Sequence, residues 1–275
     1  GMSNGCNIRT IVLIMDKINH FALMIDALTE LAEEEQAHQT PPMSGLPALR
    51  SVIANASPLP REATFLGLAE DGLPVLLNLY DAVPGPILIC GDQACGKTAL
   101  LQTIARATEL LHSSSEVQYS VITQYPNEWK DFQNNQNNAG TYSTQDPIAK
   151  DLLYSLVTWA HNNKGDQQSV LLLIDDLEAV SKIDPQTEQN LRWLLLRGPS
   201  RRVWPIITLN ANRAQNMQPW LDFFRTRLFG RINDSINSQL LTGNSNKNLT
   251  GLIAGSEFAM REGNNWLNFW VPVTD

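Results

Sequence analysis

Apolar residues in the first thirty-six positions recur in steps of three and four, with Ile11, Ile14, Ile18, Phe21, Ile25, Leu28 and Ala32 forming one seam. That period predicts a long helix over residues 8 to 36, and its stripe needs a partner. The partner is either the remainder of this chain or another chain. Prolines then crowd the stretch TPPMSGLPALRSVIANASPLP, which predicts a linker or draped loop between Thr40 and Pro60. The periodicity next shortens to that of strands. Thr64–Leu68 and Pro74–Leu79 flank Glu70-Asp71-Gly72, an Asp-Gly turn that predicts a β-hairpin.

Beyond Leu79, short apolar runs alternate with helical patterns. Ile87–Cys90, Val117–Thr123, Ser169–Asp175, Val203–Leu209 and Thr226–Ile232 read as strands, numbered first to fifth. Helices are expected after the first strand, from Pro147 through Trp159, and from Asp184-Pro185 to about Gly198. The polar stretch Asn127–Asp146, with NNQNNAGTYSTQD, is expected to be a mobile loop. The tail from Leu249 alternates a short helix with strand-like segments around Phe258 and Trp266–Val271. Strands alternating with helices imply a mainly parallel sheet with right-handed crossovers. The expected division is a helical segment over 1–39, a linker over 40–60 and one α/β domain over 61–275.

Candidate chemistry sharpens this picture between the first strand and its helix. Gly91-Asp92-Gln93-Ala94-Cys95-Gly96-Lys97-Thr98 is the G-x-x-x-x-G-K-[ST] phosphate-binding loop in its strand–loop–helix context. Glycines at 91 and 96 let backbone N–H groups of the loop, through Ala99, converge on a β-phosphate at the positive end of a helix. Lys97 is placed for the β- and γ-phosphates, and the Thr98 hydroxyl for Mg²⁺. ATP and Mg²⁺ are the expected ligands. A site of this kind needs acidic partners, and the most continuous apolar run ends in Asp175-Asp176. Asp175 is the expected Mg²⁺ carboxylate and Asp176 the carboxylate that polarises the attacking water. Asn210 closes the fourth strand as a sensor of the γ-phosphate or the water, or as an ordinary strand-end turn residue.

These assignments predict a three-layer P-loop NTPase fold of the RecA/ASCE-like, additional-strand kind. Inserting a strand between the two loop-bearing strands gives the spatial order fifth, first, fourth, third, second. The γ-phosphate cation is open among Arg197, Arg201, Arg202, Arg213, Arg225, Arg227 and Arg231. Cys95, inside the loop, is either a small filler or a thiol activated by the helix terminus.

Bulk properties narrow the partners. A formal charge of −8 argues against a surface that coats nucleic acid, so any DNA contact must be local. Cys6, Cys90 and Cys95 lack C-x-x-C spacing, which indicates neither a disulfide framework nor a zinc site and suits a reducing cytoplasm. The apolar run Ile11–Met15 is broken by Asp16 and Lys17, so no membrane insertion is expected.

As an ordered set the motifs resemble the FtsK/SpoIIIE group of motor ATPases, including the EccC-like modules of type VII secretion, within the FtsK/HerA class. The matching stretches are GLAEDGLPVLLNL, PGPILICGDQACGKTALLQTIA, LLLIDDLEAV, LRWLLLRGPSRRVWPIITLNANR, FRTRLFGRI and LTGLIAGSEFAMREGNNWLNFWVP. They span roughly residues 63 to 272. The resemblance implies an ATPase in a homo-oligomeric ring, coupling hydrolysis to movement of double-stranded DNA or a secreted protein through a pore. It also implies that Asn210 is the sensor and that Arg227 or Arg231 is the arginine at the subunit boundary. The rival expectation is a nucleotide-dependent scaffold or switch whose N-terminal helix recruits a partner.

Overall fold

A computed structural model describes residues 9–11, 47–165, 168–262 and 264–275. Apart from Arg9–Ile11, the long helix expected over residues 8 to 36 lies outside these. Those three residues form strand β1, paired parallel to residues 75–77, so the helical period does not hold there.

The five expected core strands are present as β4 (Ile87–Gly91), β5 (Val117–Thr123), β7 (Ser169–Asp175), β8 (Val203–Asn210) and β9 (Thr226–Phe229). They pair in parallel in the order β9-β4-β8-β7-β5, the order expected from sequence. The sheet continues beyond them on both sides. The hairpin β2 (Ala63–Ala69) and β3 (Pro74–Asn78) is antiparallel, and Gly72 at its turn has φ +80°, which favours glycine. The strand-like segments expected around Phe258 and Trp266–Val271 are β10 (Glu257–Glu262) and β11 (Asn265–Trp270), a second antiparallel hairpin, while turns take the place of the short helix expected from Leu249. That hairpin joins β9 to β2, so the early hairpin belongs to the core sheet rather than being appended to it.

At the other edge lies β6 (Asn138–Ser143), inside the stretch expected to be a mobile loop. None of its residues is fully buried, so it shows no apolar run. Its register is held by polar groups instead: Asn137 Nδ2 donates to the carbonyls of His112 and Val117. Upstream, the 3₁₀ turn Pro126–Phe132 buries Trp129 and Phe132. The Pro-rich stretch also holds order, since its residues Leu49–Ala56 form helix α1 with Leu49, Val52 and Ile53 inward.

Two apolar layers follow from the period-two alternation of the core strands. Leu88, Cys90, Leu172, Ile174, Ile207 and Leu209 face α3 (Pro147–Asn162), α4 (Leu177–Ser181) and α5 (Pro185–Arg197), which follow α2 (Lys97–Leu111) in the chain. Ile87, Ile89, Leu171, Leu173 and Ile206 face α2. Asp146 and Asp184 cap α3 and α5 by accepting from Ile148 N and Thr187 N, each ahead of a proline at the first helical position. No helix among the described residues is long and apolar enough to cross a membrane.

Because all five core strands are parallel, their C-terminal ends meet at one edge. Gly91, Asp175 and Asn210 therefore open onto the same crevice, where α/β sheets bind ligands.

Candidate functional site

The loop between β4 and α2 is shaped by close backbone approaches. Gly96, the residue before α2, has φ +102°, and a Cβ there would lie 2.8 Å from Gly255 Cα. Gly255 N donates to Cys95 O at 2.8 Å, so the segment before β10 is fastened to this loop. Gly91 is required for a different reason. Its Cβ position is 2.5 Å from Cys95 Sγ, and that of Gly230 is 2.6 Å from the same sulfur. Cys95 thus fills a slot that two glycines leave open. It is buried at 1% exposure, and burial raises its thiol pKa against the lowering effect of Lys97. An inert filler fits these surroundings better than a reactive thiol. Asp92 braces the other side: its N–H donates to Arg231 O at 2.8 Å, and its carboxylate accepts from Asn233 N at 2.9 Å.

Lys97 begins α2 and turns its ammonium back into the loop, donating to the carbonyls of Gly91 at 3.1 Å and Asp92 at 2.7 Å. The next residue, Thr98, donates its hydroxyl to Asp175 Oδ2 at 2.7 Å. The first and third core strands are not neighbours, so this bond exists only because β8 between them sets the spacing. Asp175 and Thr98 are thus in direct contact. Asn210 pairs in register with Gly91, at the start of the loop.

Two residues that sequence reasoning missed complete the acidic pair. Thr208, two positions before Asn210, donates to Asp175 Oδ1 at 2.8 Å and accepts from Asp176 N at 2.8 Å. Its signal was a hydroxyl inside an otherwise apolar strand end. Gln124, just past β5, reaches Asp176 Oδ2 at 3.5 Å. Asp176 itself has φ +97°, a conformation side chains avoid, and its Oδ1 accepts from Glu178 N at 3.0 Å. Burial raises its pKa above the usual carboxylate value, partly offset by the backbone hydrogen bonds. Glu178, by contrast, is pulled down to about 2 because Arg213 and Lys182 hydrogen-bond its carboxylate.

The arginines separate by environment. Arg227 is half-buried and donates to three carbonyls, those of Phe224 at 3.1 Å, Leu241 at 2.7 Å and Leu221 at 2.7 Å. Arg231 is exposed, with Nε donating to Asn233 Oδ1 at 3.2 Å. Arg213 engages Glu178 through Nε and a terminal nitrogen. Arg227→Ala would strand three carbonyls and is expected to lower unfolding free energy by about 2–4 kcal/mol, measured by urea denaturation. Wild-type stability in that variant, with turnover lost, would show that Arg227 acts in catalysis rather than in packing.

No protein-family model and no curated protein matches this sequence. Solved structures do. EssC (ATPases 2 and 3) from Geobacillus thermodenitrificans superposes with a TM-score of 0.68 at 15% identity, over 86% of this chain and 48% of that one. Thermomonospora curvata EccC (ATPases 2 and 3), in complex with a signal sequence peptide, gives 0.66 at 18% identity, over 86% and 45%. The pCW3 conjugation coupling protein TcpA, in monomer form with ATPγS, gives 0.61 at 15% identity, over 86% and 71%. The chain spans less than half the length of either secretion ATPase. The chain shares its fold with these EssC, EccC and TcpA structures.

Proposed function

We propose that the chain binds MgATP through the loop of residues 91–98 and hydrolyses it as an FtsK/HerA-like motor ATPase in the cytoplasm. The observation that carries this reading is the 2.7 Å bond between Thr98 and Asp175, beside an ammonium already drawn into the loop. A hydroxyl and a carboxylate are hard oxygen donors, the set that Mg²⁺ accepts alongside phosphate oxygens and water. Bound there, the ion would neutralise charge on the β- and γ-phosphates. The chain's own residues do the rest. Backbone amides of Asp92 to Ala99 cradle the phosphates, and Lys97 exchanges its carbonyl partners for them. Asp176 takes the proton of the attacking water, and Asn210 orients that water.

Hydrolysis between copies in a ring requires a cation from the neighbour, and exposed Arg231 at the loop's flank is better placed for it than Arg227. The polymer moved is double-stranded DNA or a protein. The EccC neighbour's signal sequence peptide and TcpA's role as a conjugation coupling protein motivate those two classes. Turnover measured alone, with duplex DNA and with an exported-protein peptide, alongside native mass, tests the motor. Stimulation by one polymer together with a multimeric mass is expected.

One observation favours the rival scaffold reading. The Asp176 carboxylate is one methylene shorter than glutamate and is already engaged by Glu178 N and Gln124. Slow turnover with tight nucleotide retention, unchanged by either polymer, would select a nucleotide-held switch.

A further inference from the structure

Asp176 holds its strained backbone next to a charged cluster that the hydrolysis scheme leaves unused. Glu178 lies in the first turn of α4 with its side chain 11% exposed, and Arg213 grips its carboxylate through two nitrogens. Lys182, just past the end of that helix, adds a third contact at 2.5 Å. Arg213 ends the 3₁₀ turn Ala211–Arg213, which follows Asn210 directly, and its own carbonyl accepts from Met217 N. The pair therefore ties the turn after the third core strand to the turn after the fourth. Asp176 leads into the first of those turns and Asn210 into the second, and in the proposed reaction they address one water.

A non-glycine residue at φ +97° persists only where its surroundings over-determine it. Thr208 fixes the amide of Asp176 from β8, while Glu178 N fixes its carboxylate from α4. These two anchors sit on different elements, and a fork-to-carboxylate pair is the rigid link between them. Ser181 Oγ, donating to Glu178 O, holds the same short helix against drift.

We propose that Glu178 and Arg213 form a positioning clasp that sets the placement of the Asp176 carboxylate relative to Asn210. Neither residue touches the nucleotide. The kinetic consequence rests on the ATPase reading above; the structural consequence does not.

Two measurements separate them, using Glu178→Gln, Arg213→Lys and the Glu178→Gln/Arg213→Lys double variant, all of which keep side-chain volume. In the first, amide hydrogen exchange is followed at the Asp176 N–H that Thr208 accepts. Each single variant is expected to exchange at least about tenfold faster there, with the β4 amides unchanged. In the second, kcat for ATP is expected to fall about tenfold or more with KM within about twofold, since misplacement acts on the reacting geometry and not on binding. The double variant should lose no more than the worse single one, because both belong to one link. Unchanged exchange at Asp176 overturns the clasp. A loss confined to Arg213→Lys and seen chiefly in KM also overturns it, assigning Arg213 to the phosphates. If the wild-type chain shows no turnover, the ATPase reading falls and the exchange measurement alone decides the clasp.

Discussion

Lys97→Ala is expected to weaken ATP binding by at least about a hundredfold, or about 2.8 kcal/mol, measured by titration calorimetry in the presence of Mg²⁺. The side chain supplies the loop's mobile positive charge, and its ammonium is already desolvated against the carbonyls of Gly91 and Asp92. Arg227 is committed to three carbonyls and Arg213 to Glu178, so neither replaces it by a rotamer change. The loop shape itself should survive. Its turns are set by Gly96 at φ +102°, by Ala94 at φ +63° and by the Cys95 slot between Gly91 and Gly230, which the ammonium only touches at the sulfur, 3.8 Å away. Urea unfolding of the variant is the control for that statement. Wild-type affinity in Lys97→Ala would remove the nucleotide site from this loop.

Asp176→Asn should separate binding from chemistry. Asparagine keeps the shape and still accepts from Glu178 N, so nucleotide affinity is expected to stay within about twofold. Turnover is expected to drop at least about tenfold, equivalent to about 1.4 kcal/mol of transition-state stabilisation, because the group no longer accepts a proton. The pH dependence follows from the sign of the shift. Burial raises the Asp176 pKa, so its active, ionised form is lost on acidification at a pH above that for an ordinary aspartate. The wild-type rate should therefore show an acid limb displaced upward, and the asparagine variant should lack it. An unaltered rate in Asp176→Asn would place the base elsewhere and favour a site that holds nucleotide without Asp176 chemistry.

Much of the fold was legible because its signals are local. The apolar runs at 87–90, 117–123, 169–175 and 203–209 are buried on both faces, and such runs announce parallel strands without any alternation. The helix starts at Pro147 and Pro185 were announced by the proline and by the aspartate cap before it. β6 was not legible. An edge strand with half-exposed polar residues pays no visible hydrophobic signature, and its pairing is fixed by Asn137 reaching carbonyls of His112 and Val117 that are distant in the chain. The strands β10 and β11 were legible around Phe258 and Trp266–Val271, but not their pairing into a hairpin that bridges β9 and β2.

Within the site, the sequence determined which groups are available: the glycines and lysine of the loop, the Thr98 hydroxyl, and two carboxylates ending a buried strand. Those are properties of contiguous residues, where spacing along the chain equals spacing in the loop. Tertiary structure decided how they combine. It placed Thr98 within 2.7 Å of Asp175, supplied Thr208 from β8 and Gln124 from just past β5, and turned Arg227 inward to hold carbonyls. The cause is the strand order. Parallel pairing in register brings to one edge residues that are tens of positions apart, and no pattern along the chain encodes which side chains will meet there.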